Sequence, residues 1–175
     1  MSRLFVVDCE AYGPCPSMGR LTWFGAVEYT SEQTFDGLIV PSRARRDNPA
    51  IPEEVDPATD EEYFQKLLQV FTRFDDWLGG FGPLHTFVSD NPAFDWQWIN
   101  DAFHRTLRRN PFGFSARRIG DFYAGLKSDF RQTQDWKKLR VTKHDHNPVN
   151  DALGNVQALK RLIAGERPSL SRRYK

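Results

Sequence analysis

Two carboxylates, Asp8 and Glu10, stand two residues apart in the first apolar run of the 175-residue chain, Leu4-Phe5-Val6-Val7-Asp8-Cys9-Glu10. If that run is a strand, its two-residue pleat aims both acids at one face and Cys9 at the other. At 4 Å and an effective dielectric of ~20, two like charges repel by ~4 kcal/mol, so a convergent pair wants a cation or a shared proton. The competing reading ends the strand at Asp8 and leaves both acids in water. A second group is Asn91-Pro92-Ala93-Phe94-Asp95-Trp96-Gln97-Trp98. At ~100° per residue, Asp95 falls between Trp98, Ile99 and Ala102 in a helical apolar stripe and would face the protein. The alternative is a charge that merely favours the helix amino terminus, although Asp90 or Asn91 is better placed to cap. A third group is His146-Asn147-Pro148-Val149-Asn150-Asp151, a histidine five residues before an aspartate. Periodicity does not decide here, because Asp151 sits about 130° from the stripe of Val149, Leu153, Val156 and Ile163. A solvated first-turn aspartate would look the same. His144-Asp145-His146 could alternatively form a zinc patch, but no cysteine or third histidine stands at a suitable spacing.

The elements that must position these residues can be read from period and punctuation. Leu4–Cys9, Leu21–Tyr29 and Thr34–Val40 are rich in β-branched and aromatic residues and read as strands. The acidic, proline-rich stretch Pro41–Thr59 reads as a connecting loop. Thr59 followed by Glu62 is a capping-box pattern, and the apolar period from Tyr63 to Leu78, stopped by Gly79-Gly80, predicts the first long helix. A strand over Leu84–Ser89 hands over through Asp90-Asn91-Pro92 to a second helix reaching Leu107. A short strand near Arg118–Phe122 follows. The segment Ala124–Lys143 reads as a short helix and then an irregular loop. Asn147-Pro148 provides a cap and a first-turn proline for a last helix, Val149 to about Ala164. The resulting order, βββαβαβα, predicts an α/β fold: a mixed sheet with helices packed on its faces.

Length fits a single domain of ~150 residues, expected over 1–170, with 171–175 a frayed basic tail. With 39% hydrophobic and 27% charged residues, the composition is that of a globular protein, and no run approaches the ~18 apolar residues of a membrane span. The amino terminus lacks the longer hydrophobic segment and small-residue site of a signal peptide, so a cytoplasmic location and no membrane partner are expected. Cys9 and Cys15 are too few for a disulfide framework and are expected as thiols. The net charge of +1 hides an asymmetry. Residues 1–103 carry 7 basic and 17 acidic residues, whereas 104–143 carry 11 and 3. A basic segment beside a carboxylate-rich half fits a polyanion on one face and a cation site on another, and equally a solvated surface.

Taken in order, Asp8-x-Glu10, Asn91-x-x-Phe94-Asp95 and His146-x4-Asp151 resemble the DEDDh 3′-5′ exonuclease signature of the ribonuclease H-like superfamily, across almost the whole chain. The segment Lys143 to Asn155 is most similar to small single-domain exoribonucleases of the adenylate-preferring type. The resemblance implies a mixed five-stranded sheet with flanking helices. It implies two Mg²⁺ or Mn²⁺ ions held by Asp8, Glu10, Asp95 and Asp151, with His146 taking the proton of the attacking water. All-oxygen ligands suit such hard cations. The expected activity is 3′-to-5′ exoribonuclease action on single-stranded RNA, releasing nucleoside 5′-monophosphates. The alternatives are a DNA 3′-5′ exonuclease of the proofreading type and a catalytically silent nucleic-acid-binding module. Ala11, Tyr12 and Asn91 are the expected substrate contacts, Tyr12 stacking on the terminal base or else packing in the core. Arg105, Arg108, Arg109, Arg117, Arg118, Lys137, Lys138 and Arg140 would track phosphates. Small family members make a homodimer an expected arrangement. Two positions depart from the pattern: Ala11 replaces a frequent threonine, and Asp90, replacing a frequent histidine, adds negative charge near the phosphate path.

Overall fold

The first core-forming residues are those of β1 (Arg3–Tyr12), whose alternate side chains enter different layers. A computed structural model describes residues 2–40 and 59–168. All but Thr59 of the expected loop Pro41–Thr59, and the expected tail 171–175, lie outside the described residues. The other strands are β2 (Arg20–Glu28), β3 (Thr34–Asp36), β4 (His85–Ser89) and β5 (Ala116–Arg118), in the sheet order β3-β2-β1-β4-β5. β1 runs antiparallel to β2 and parallel to β4, and β4 runs parallel to β5, so the sheet is mixed. The helices are α1 (Asp60–Gly79), α2 (Pro92–Leu107), α3 (Ile119–Lys127) and α4 (Pro148–Ile163), with a 3₁₀ turn at Asp135–Leu139.

Phe5, Val7 and Cys9 pack with Phe24, Phe87 and the apolar faces of α1 and α2. Val6, Val27 and Val88 emerge on the other face, against Ile119, Tyr123, Trp136 and the α4 residues Ala152, Val156 and Leu159. The sheet is therefore a middle layer between α1/α2 and α3/α4. α1 begins as its sequence requires: Thr59 Oγ1 accepts from the Glu62 N–H at 3.2 Å, and Glu62 Oε2 accepts from the Thr59 N–H at 3.0 Å. Among the described residues, no helix is long and apolar enough to cross a membrane.

The expected order holds with one addition and two shifts. β3 stops at Asp36 and not Val40, because the chain leaves the ladder there and Ile39 and Val40 instead donate to the Thr22 carbonyl at 2.9 and 3.0 Å. The fifth strand is Ala116–Arg118, and Ile119–Phe122, read as strand, opens α3. Ile119, Tyr123 and Trp136 are the apolar anchors of this region; they are too sparse for a period to declare itself in sequence.

Candidate active site

β1 outruns β4. The parallel ladder pairs Arg3–Val6 with His85–Val88 and ends there, so Asp8 and Glu10 lie beyond the carboxyl end of β4. Crevices at the carboxyl ends of parallel strands are where open α/β sheets take ligands. Val7 and Cys9 face α1 and α2, and the pleat therefore turns Asp8 and Glu10 toward α4.

α4 can come this close because position 25, paired with Asp8 on β2, is glycine. A Cβ there would lie 2.4 Å from the backbone of Pro148 and Val149. Asn147 caps the helix, accepting from the Val149 N–H at 3.0 Å and the Asn150 N–H at 3.4 Å. Asp151, in the first turn, thereby reaches the strand acids: one oxygen from each of Asp8, Glu10 and Asp151 lies within 4.8 Å of the others. Asp151 is 1% exposed, although its helical position alone left its surroundings open. The strap 140–147 folds over it. The Asp145 N–H donates to Asp151 Oδ1 at 3.2 Å, and Gln157 Oε1 accepts from Val141 and Thr142 at 3.2 and 2.8 Å. Arg140 bonds to Asn155 on the same helix.

Asp95 comes from the opposite side of β1. It is buried in the first turn of α2, and its Oδ1 accepts the Cys9 N–H at 3.1 Å, between the two strand acids. It stands outside the group of three but shares its field. Burial, then repulsion from Asp95 and Asp151, pushes the Asp8 carboxyl well above the usual carboxylate range, with Arg140 opposing. Burial raises Asp95 to about 7, against the pull of the Ser89 hydroxyl and the Cys9 and Asn91 amides. A divalent cation would remove the repulsion that lifts Asp8. The donor set fits such an ion: it is all carboxylate oxygen, and Asp151 Oδ2 is buried without a hydrogen-bond partner.

His146 projects from the strap with Nδ1 3.6 Å from Glu10 Oε1, half exposed, at φ +61°. A left-handed non-glycine residue costs energy, and such strain gathers at functional sites. His144 lies beside it, ring centroids 4.4 Å apart.

Other expected residues fall differently. Tyr12 ends β1 and is 43% exposed, so its ring is not core filling. The Ala11 side chain packs against the α1/α2 core, which leaves its backbone as what it can offer a ligand. Neither Asp90 nor Asn91 caps α2 with its side chain: Asn91 occupies the cap position, exposed and without a side-chain bond. Asp90 is not an uncompensated charge, since Lys137 Nζ and Arg140 Nη2 approach it at 2.6 and 3.6 Å. The basic segment is not one track. Arg105 pairs with Asp101, Arg118 with Asp121 and Lys138 with Asp135. Arg109 pairs with Asp75 in a cleft beside His85, at the amino end of β4 and away from the acids. The zinc patch does not form: among the described residues the group able to hold an ion is Asp8, Glu10 and Asp151. Sequence reasoning missed Gly25 and Arg140 as positioning elements; a glycine inside an otherwise β-branched and aromatic strand was the available signal for the first.

The mixed β3-β2-β1-β4-β5 sheet with helices on both faces, and acids gathered at the end of β1, is the five-stranded α/β architecture that the sequence predicts. No family model matches the chain. It is 29% identical over 173 residues to the 3′-5′ DNA exonuclease Cap18 of Escherichia coli, covering 92% of this chain and 91% of that protein. Among solved structures it is similar to E. coli ExoI, in a zinc-ion-bound complex with single-stranded DNA, with a TM-score of 0.54 and 16% identity over 93% of this chain. That likeness is one of fold, and the chain spans 40% of the ExoI chain.

Proposed function

We propose that the protein is a metal-dependent 3′-to-5′ exonuclease that removes nucleoside 5′-monophosphates from the 3′ end of single-stranded DNA. The observation that carries the reading is the meeting of Asp8, Glu10 and Asp151 oxygens within 4.8 Å, from a strand and a helix at opposite ends of the sequence, with His146 beside Glu10. Similarity along nearly the whole chain to a protein named as a DNA exonuclease supports DNA over the RNA expected from sequence.

Asp8, Glu10 and Asp151, with Asp95 behind them, would hold Mg²⁺ or Mn²⁺. Divalent ions at such a site neutralise the scissile phosphate and make water a better nucleophile at neutral pH. The protein's own groups do the rest. His146 accepts the proton of the attacking water, a task suited to a residue whose reference pKa is near 6.5. It stands half exposed on the strap beside Glu10, open to solvent on its outer side. Tyr12 offers a stacking face for the terminal base, Asn91 a polar contact for its sugar or phosphate, and Ala11 its backbone.

Matched single-stranded DNA and RNA oligonucleotides, labelled at either end and incubated with Mg²⁺, Mn²⁺ or EDTA, test this reading. Stepwise loss of mononucleotides from the 3′ end of DNA, stopped by EDTA and by Asp8→Ala, is expected. RNA degraded faster than DNA would restore the ribonuclease reading, and activity retained in EDTA would sink the metal site.

A further inference from the structure

Asp90 is the first residue past β4, at the rim of the crevice and next to exposed Asn91. Three cations converge on it. Lys137 Nζ and Arg140 Nη2 stand 2.6 and 3.6 Å from its carboxylate, and Arg118 Nε donates to its carbonyl oxygen at 3.1 Å. Lys137 and Arg140 also share one platform, lying 5.9 and 5.3 Å from the ring centre of buried Trp136. The two are not equally committed. The Arg140 side chain is 11% exposed and bonds to Asn155, whereas that of Lys137 is 37% exposed and has no other acidic partner among the described residues. The cluster lies within the field of the site: besides burial and the neighbouring acids, the Asp8 carboxyl feels Arg140 pulling it down and Asp90 pushing it up. Two cations against one carboxylate leave a surplus of positive charge beside the residue expected to contact the terminal nucleotide.

We infer that Lys137, with Arg140 behind it, forms a phosphate-binding position at the rim of the acid cluster, and that the Asp90 carboxylate masks it. The inference rests on the nuclease reading above for the ligand, a phosphodiester of single-stranded DNA. A lysine 2.6 Å from a carboxylate has its charge largely neutralised, so a phosphate gains little from it while the pair stands. The pair is held in place from both sides. Arg118 fixes the Asp90 carbonyl, and the next residue already occupies the cap position of α2. The chain therefore grips DNA with one phosphate contact fewer than its cations allow. A weak grip suits an enzyme that must release and re-seat its strand after every cut.

The test measures binding of a 5′-labelled single-stranded DNA by fluorescence anisotropy over a range of salt, in the full chain carrying Asp8→Ala so that hydrolysis does not intervene. Adding Asp90→Asn should tighten binding about fivefold at ~0.1 M salt and steepen the salt slope by about 0.7, the worth of one phosphate contact on a single strand. Adding Lys137→Ala to that pair should return both values to those of the parent. Lys137→Ala without Asp90→Asn should change affinity by less than about twofold, because the masked lysine contributes little. Asp75→Asn, which removes the same charge and frees Arg109 at the far end of β4, should leave the slope unchanged. Unchanged or weaker binding in Asp90→Asn, a gain that survives Lys137→Ala, a loss of about fivefold from Lys137→Ala alone, or an equal gain from Asp75→Asn would each overturn the inference while leaving the nuclease reading intact. A parent chain that binds no single-stranded DNA would overturn both.

Discussion

Asp8 and Asp95 carry the electrical cost of the site when no ion is bound. Both carboxyls are raised, Asp95 to about 7, so the folded protein holds protons that an unfolded chain, with carboxylates near ~3.9, has released. Where the folded state binds more protons, stability falls as pH rises. The contribution is complete below about pH 4 and is lost as pH climbs through about 7. Melting in EDTA should therefore shift to lower temperature between about pH 5 and pH 8, and Mn²⁺ should reverse the shift most strongly at the alkaline end. A pH-independent melting curve in EDTA would contradict the raised carboxyls. Asp8→Asn should raise the EDTA melting temperature at alkaline pH while abolishing Mn²⁺ stabilisation, a combination that a purely structural aspartate would not give. His146→Ala should lower kcat by on the order of 10²–10⁴, the usual worth of a positioned acid or base, in single-turnover assays at saturating metal.

The element that decides whether these residues meet is the first turn of α4, and what admits it is the missing side chain at Gly25. Gly25→Ala would drive a methyl into the Pro148 and Val149 backbone, which cannot yield as a flexible side chain can. A loss of about 1–3 kcal/mol is expected in urea melts, as for other overpacked sites, together with weaker Mn²⁺ binding because Asp151 retreats from Asp8. Stability lost without a change in metal affinity would mean that α4 is free to tilt. At this scale much was legible from sequence: the Thr59 capping box, the Asn147 cap and the inward face of Asp95 all follow from local spacing. The burial of Asp151 did not, because its cover is an irregular strap held by Asn155 and Gln157, and helical period describes only the helix. The short helix expected from Ala124 starts five residues earlier, at Ile119, for a related reason: its buried face rests on the separate Trp136 turn and not on a long repeat. Asp8, Glu10, Asp95 and Asp151 stand out in the sequence because they lie on a strand and at helix starts that local punctuation marks.

Across the whole molecule, most of the basic residues expected to form a nucleic-acid track are paired with acids, among them Asp75, Asp90 and Asp101 from outside the basic segment, and net charge is only +1. Hydrolysis should therefore depend on salt only moderately. With about three phosphates contacted, the logarithm of DNA affinity should fall with the logarithm of salt with a slope near −2, since each contact on a single strand contributes ~0.7. Lys143→Ala, next to the two strap histidines, should make the slope shallower by about one contact, while Arg109→Ala, held by Asp75 at the far end of β4, should leave it unchanged. Equal effects of the two would restore a continuous basic path. The overhang of β1 past Ser89 also leaves a strand margin that, among the described residues, has no neighbouring strand on its β4 side, and the Cys9 amide there is answered by Asp95. An unpaired strand edge needs its amides answered, and native sheets do so by capping or covering it. By taking that amide, Asp95 closes the margin of β1 as well as lending the site its charge.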